Sequence, residues 1–218
     1  MNYINKFKEL LNSRNISSIN AFISEHPSVL DEVDERGLSG LMYIAYYQLP
    51  EVVKVAVEKK ADFTIYEATA MGLLNQVKTK VETQPNLLNQ AAGDGFYPLT
   101  LACYFGQGAI AEYLIKAGAN VNLPAQNPTK VTPLHSAIAR NDLKVCQLLV
   151  ENGADINAQQ MQGVTALHSA AHRGNLALVQ FLVENGANTN AKTTEGKTAL
   201  DFATQDGHHK VATFLTNY

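Results

Sequence analysis

Three leucines set 33 residues apart, Leu134, Leu167 and Leu200, constrain this chain more than any other feature. The text around them repeats with them. Residues 131–158 read VTPLHSAIARNDLKVCQLLVENGADINA, and residues 163–191 read GVTALHSAAHRGNLALVQFLVENGANTNA. In the second copy Thr165 can cap a helix start, its hydroxyl accepting from a free backbone N–H. Leu167, Ala170 and Ala171 fall on one narrow apolar face at helical spacing. Gly174 breaks that short helix. Leu176, Val179, Phe181, Leu182 and Val183 then make a second, wider face. Gly186 follows, where a residue past a helix end takes positive φ. A pair of helices this short cannot bury its apolar sides alone, so copies must stack. The pattern predicts an all-α stack with Leu134, Leu149, Leu167 and Leu182 buried between units.

A 33-residue period carrying T-P-L-H-x-A, here Thr132-Pro133-Leu134-His135-Ser136-Ala137, resembles the ankyrin repeat. The resemblance is strong from Gly95 to the C-terminus and weaker before it. It implies an ankyrin-repeat solenoid of about seven stacked helix pairs with short hairpin fingers. The pairs are expected to begin near residues 4, 40, 64, 98, 133, 166 and 199. The whole of 1–218 reads as one domain: a capping pair over 1–36, irregular repeats over 37–122, regular repeats over 123–191 and a capping repeat over 192–218.

The first half departs from the period in an ordered way. A shift of 58 lays His26-Pro27 on Gln84-Pro85, Gly37 on Gly95, Leu41 on Leu99 and Tyr46-Tyr47 on Tyr104-Phe105. Each 58-residue copy holds a long repeat followed by a short one. Gln48 and Lys60 stand where glycines are usual. Leu41 and Ile65 are only 24 residues apart, which leaves no room for a finger between Asp62 and Ile65 and should interrupt the concave surface there. A small insertion, 123–129, carries Pro124 and Pro128.

Charge and motifs narrow the function. With 17 Lys and Arg against 20 Asp and Glu, the net charge of −3 gives no electrostatic case for nucleic acid or an anionic membrane. Cys103 and Cys146 lie in apolar helical text and read as buried, reduced thiols. No signal peptide and no span of membrane length are evident, so a soluble, cytoplasmic, monomeric protein is expected. His168 and His172 have the spacing of the HExxH zinc pair, but Ser169 stands where that motif needs glutamate. The resemblance gives His168, like His135, a structural role: its ring bonds the backbone of the adjacent finger. The adjacent His208 and His209 point to different sides of a helix and read as a solvated cap. No catalytic residue, metal site or cofactor is expected.

What remains is surface. The resemblance implies that finger tips and the exposed ends of the first helices grip a partner. One such place, after the finger glycine, holds Leu38, Phe96, Val131, Val164 and Lys197. Another, two before that glycine, holds Glu35, Gly93, Pro128, Met161 and Thr194. From these places and the helix ends the candidate partner-binding residues are Tyr46, Tyr47, Met71, Phe96, Tyr104, Phe105, Arg140, Met161, His172 and Arg173. Aromatic and arginine side chains are those most enriched at binding hot spots, and an exposed apolar patch marks a contact site. Packing of the rings on neighbouring repeats is the competing explanation. The expected function is non-catalytic binding of another protein through the concave surface. The alternatives are a small-molecule or peptide sensor using the aromatic patch, and an enzyme built around His168 and His172.

Overall fold

The computed structural model describes residues 3–218. The helices fall into seven consecutive pairs: α1 (Ile4–Ser13) and α2 (Ile16–Glu25), α3 (Gly40–Tyr47) and α4 (Pro50–Lys59), α5 (Ile65–Ala70) and α6 (Leu74–Thr83), α7 (Pro98–Phe105) and α8 (Gly108–Lys116), α9 (Pro133–Ala139) and α10 (Leu143–Glu151), α11 (Ala166–His172) and α12 (Leu176–Glu184), and α13 (Ala199–Gln205) and α14 (His209–Thr216). Every pair begins within a residue of the place the period predicts. Strand pairing among the described residues is confined to isolated bridges, Val33 with Ser39 and Gln159 with Thr165, each closing a finger.

Local chemistry sets the helix starts. The side chains of Asn15, Ser39, Thr64, Thr132 and Asn175 each accept a backbone N–H in the first turn, which satisfies donors that have no helical partner. Pro98 and Pro133 occupy the first helical position, where a missing N–H costs nothing. Gln48 ends α3 in the left-handed region at φ 53°, doing there what Gly106 does at φ 73° for α7.

The core runs through the stack between the helix pairs. Leu134 and Leu167 are each 1% exposed, and Leu149 and Leu182 are fully buried. Cys103 and Cys146 are free thiols within it. Burial pushes both thiols up, Cys146 to about 12, so neither is a thiolate near neutrality.

Two sets of hydrogen bonds hold successive repeats in register. Along the fingers, Gln126 N–H donates to the Gly95 carbonyl at 2.8 Å, Met161 N–H to Thr129 at 2.8 Å and Thr194 N–H to Gln162 at 2.9 Å. In the loops that follow the second helices runs a ladder of asparagines. Asn122 donates to the Gly153 carbonyl at 2.9 Å and accepts from Asp155 N–H at 2.7 Å. Asn157 does the same with Gly186 at 3.1 Å and Asn188 at 2.8 Å.

The short repeat lacks its finger, and the backbone shows why. Gly118, Gly153 and Gly186 leave their helices at φ 94°, 84° and 91°. Lys60, in the corresponding place, is extended at φ −104° and ψ 126° and leads the chain directly to the Thr64 cap of α5. Its side chain turns inward. Lys60 Nζ pairs with Asp31 and lies 3.5 Å from the buried carboxylate of Glu67. Glu67 also accepts from the Ser39 hydroxyl at 2.6 Å and the Thr64 N–H at 2.9 Å. A buried lysine and carboxylate thus occupy the ground a finger would cover.

The row of fingers is nevertheless continuous. The finger at 31–39 and the finger at 90–97 close over the gap. A Cβ built on Gly93 would overlap the Arg36 carbonyl oxygen and lie 3.1 Å from Gly37 Cα, so the two backbones touch because Gly93 has no side chain. Beneath this arch is a cleft of about 310 Å³ with Lys60 and Glu67 in its wall.

Candidate functional site

His135 and His168 are structural. His135 Nδ1 lies 2.8 Å from the Thr132 hydroxyl and accepts from Thr132 N–H, while Nε2 reaches the Val164 carbonyl of the next finger at 3.3 Å. His168 repeats this with Thr165 and, at 3.1 Å, the Lys197 carbonyl. A carbonyl can only accept, so Nε2 carries the proton and both rings are neutral. Burial holds His135 down at about 4 and also lowers His168. His172, one turn from His168, lies 2.6 Å from Asp206. Both nitrogens of His168 are therefore committed, and the HSAAH spacing does not form a shared ligand site. Among the described residues no group of His, Cys, Asp and Glu is arranged to hold a metal ion.

The ring-bearing ends of α3 and α7 come together across the short α5. Helices α3 and α7 have eight residues each and α5 has six. The rings of Tyr46 and Tyr104 therefore meet at 5.9 Å, Tyr46 and Phe105 at 5.3 Å, and Tyr104 and Phe105 at 5.1 Å, the last pair edge to face. The Tyr46 hydroxyl donates to Asp94 at 2.7 Å. Its burial and the Asp94 charge hold its pKa well above the ordinary tyrosine value. Tyr46 and Phe105 are half-buried, whereas Tyr104 is 37% exposed. The rings thus do both things considered for them: they pack on one another and leave a face to solvent.

Two depressions flank this cluster. One, of about 450 Å³, brings together Met71, Phe105 and Arg140. The other, of about 250 Å³, brings together Phe96, Tyr104, His172 and Arg173 over a floor that includes Ser136 and Ser169. Tyr47 belongs to neither: its hydroxyl bonds Asn12 of α1. Met161 stands apart on its finger, 50% exposed. Leu38, expected at a partner-gripping place, is buried at 7% exposure and is not available to a partner. The neighbouring tip position, Gly93, is taken up by the contact between fingers.

Sequence comparison bears on the same stretch. The family profile described as ankyrin repeats (3 copies) matches residues 65–160, and the one described as ankyrin repeats (many copies) matches residues 149–203. The chain contains ankyrin repeats. It is 32% identical over 107 residues to the human BCL-6 corepressor-like protein 1, a match covering 49% of this chain and 6% of that protein. It is 36% identical over 94 residues to the mouse RelA-associated inhibitor, covering 43% of this chain and 11% of that protein. A third match, 43% identical over 60 residues, is to the human neurogenic locus notch homolog protein 4, covering 28% of this chain and 3% of that protein. The chain therefore spans a small fraction of these relatives.

Other residues around the ankyrin array's rings were not legible from the repeat pattern. Leu49, Val53 and Gln107 line the larger depression, yet in sequence they read as ordinary starts of second helices. Asp94 orients two site residues at once, accepting from the Tyr46 hydroxyl and, at 3.2 Å, from Phe96 N–H. Its place directly before the finger glycine is the signal that could have found it. No helix among the described residues is long and apolar enough to cross a membrane.

Proposed function

We propose that this ankyrin array is a non-catalytic, monomeric, cytoplasmic module that binds another protein across its concave surface. The observation that carries the reading is the ring cluster of Tyr46, Tyr104 and Phe105, with a depression on either side and an arginine beside each. Apolar side chains of a partner fit the depressions, and acidic groups fit Arg140 and Arg173. The groups sit on helix ends fixed by the core, so little ordering entropy is lost on association. Two relatives support the reading through their names, a corepressor-like protein and a RelA-associated inhibitor.

A displayed random-peptide library panned on the purified chain tests the proposal. Enriched peptides should combine apolar and acidic residues. The double variant Tyr104→Ala, Arg173→Glu should lose them by at least about thirtyfold, since truncating a hot spot costs about 2 kcal/mol or more. Its melting temperature should fall only slightly, because Arg173 is exposed and the 37% exposed Tyr104 loses only its ring contacts with Tyr46 and Phe105. No enrichment, or undiminished capture by the variant, overturns the proposal.

A further inference from the structure

The larger depression has an origin and a chemistry of its own. It exists because α5 stops two residues short of its neighbours, leaving a notch between the ends of α3 and α7. Gln107 closes the foot of the notch by donating to the Ala70 carbonyl at 3.3 Å. The walls are apolar: Leu49, Val53, Met71 and the Phe105 ring. Arg140 is the charged residue of the lining. Its guanidinium lies over Gly106, with Nη2 3.3 Å from where a Cβ would stand. Asp142, two residues on, is already used, accepting from Val145 N–H at 3.1 Å. Among the described residues the Arg140 side chain makes no ion pair and no hydrogen bond. A cation without a counter-ion thus edges an apolar notch of about 450 Å³, within the range of small-ligand pockets, roughly 300–1,000 Å³.

We propose that the notch binds a monocarboxylate with a branched or aromatic apolar body, the body resting on Val53, Met71 and Phe105 and the carboxylate pairing with Arg140. Charge and apolar surface lie within one small cavity, so the ligand must carry both on adjoining atoms. An apolar organic acid does so, and so does the apolar C-terminal residue of a polypeptide. A guanidinium pairs with a carboxylate through two parallel hydrogen bonds, and Arg140 is exposed at the rim of the notch, where an incoming acid can reach it. The inference rests on the reading that these residues face a partner, and it names the chemistry recognised at one end of that surface.

Titration calorimetry and amide NMR on the full chain test it, with 3-phenylpropionate and 4-methylpentanoate as probes and their neutral amides as controls. Saturable binding of the acids, with shifts at Met71, Phe105 and Arg140, is expected. The amides and the variant Arg140→Gln should each weaken binding at least tenfold, whereas Lys210→Gln, a remote exposed charge change, should not. A second variant, Val53→Phe, fills the notch while keeping the charge and should also abolish binding. A tetrapeptide ending in free phenylalanine, compared with its amidated form, identifies the source. Tighter binding of the peptide than of the free acid assigns a chain terminus, and equal or weaker binding assigns a small acid. Equal binding of acids and amides, or no saturable binding of acid or peptide, overturns the inference. Because the probes are read without any protein partner, this result can fail while peptide selection succeeds, and the reverse.

Discussion

Replacing Gly93 with alanine tests the closure of the fingers over the short repeat. Gly93 is not in the left-handed region, so a new side chain meets no positive-φ strain there. The obstacle is the neighbouring finger: the new Cβ would overlap the Arg36 carbonyl oxygen and sit 3.1 Å from Gly37 Cα and 3.3 Å from its carbonyl carbon. These are backbone atoms, so no rotamer change relieves them and the fingers must part. Overpacking of this kind costs about 1–3 kcal/mol. Alanine also restricts the unfolded chain, returning about 0.4–1 kcal/mol. The net expectation is a loss of about 1–2 kcal/mol. For a chain of this size that corresponds to a fall of about 2–8 °C in melting temperature. Circular dichroism with urea and heat measures it. Gly118→Ala is the useful contrast, because Gly118 has φ 94° and nothing within 4 Å. There the strain is conformational and the fingers stay together, so the Tyr46–Asp94 contact should be unchanged by NMR. A Gly93→Ala protein as stable as the parent, or more so, would refute the finger contact.

Three further outcomes follow from the same geometry. Lys60→Met leaves the buried Glu67 carboxylate without its cation and should cost about 3–5 kcal/mol; adding Glu67→Gln should recover much of that in urea unfolding, and a double variant no better than the single one would count against the buried pair. Leu167→Ala empties a core position that is 1% exposed and should cost about 2–5 kcal/mol in the same assay, whereas a loss below about 0.5 kcal/mol, typical of surface changes, would contradict the packing. His135 is lowered by burial from 6.5 to about 4, so the fold favours its neutral form; stability from this ring is complete above pH 6.5 and drains by about 3 kcal/mol as pH falls to about 4. Melting curves from pH 7.5 to 4 should show that loss, His135→Gln should flatten it, and a parent curve equally stable throughout would refute the assignment.

Where the repeat was regular, the sequence led directly to the fold. The 33-residue leucine spacing placed α9, α11 and α13, and the T-x-L-H text placed both the caps and the ring that reaches the next finger. Such features are local: cap, apolar face and turn glycine lie within a few residues of one another. The 24-residue step from Leu41 to Ile65 likewise pointed to the absent finger. It did not show what replaces it. That outcome depends on residues far apart in sequence, Asp31 with Lys60 and Arg36 with Gly93, whose meeting no periodicity encodes. The candidate site divides in the same way. Tyr46, Tyr104 and Phe105 were legible as equivalent positions 58 residues apart. The turning of Tyr47 toward Asn12 is a contact between residues 35 apart in sequence, and the notch below Phe105 follows from the length of α5; both are visible only once the helices are stacked.

The short α5 also changes how the array should come apart. In a regular solenoid each unit is coupled only to its immediate neighbours, and unfolding can be described as a one-dimensional chain with nearest-neighbour interface terms. Here the units on either side of α5 are joined to each other directly, through Gly93 against Arg36 at one end and through the Tyr46, Tyr104 and Phe105 rings at the other. The stretch from α3 to α8 is therefore one cooperative block with second-neighbour coupling. The repeats beyond α9 retain nearest-neighbour links and can fray singly from the C-terminal side. Amide hydrogen exchange should accordingly show a shared opening free energy across α3 to α8 and a graded one from α9 to α14.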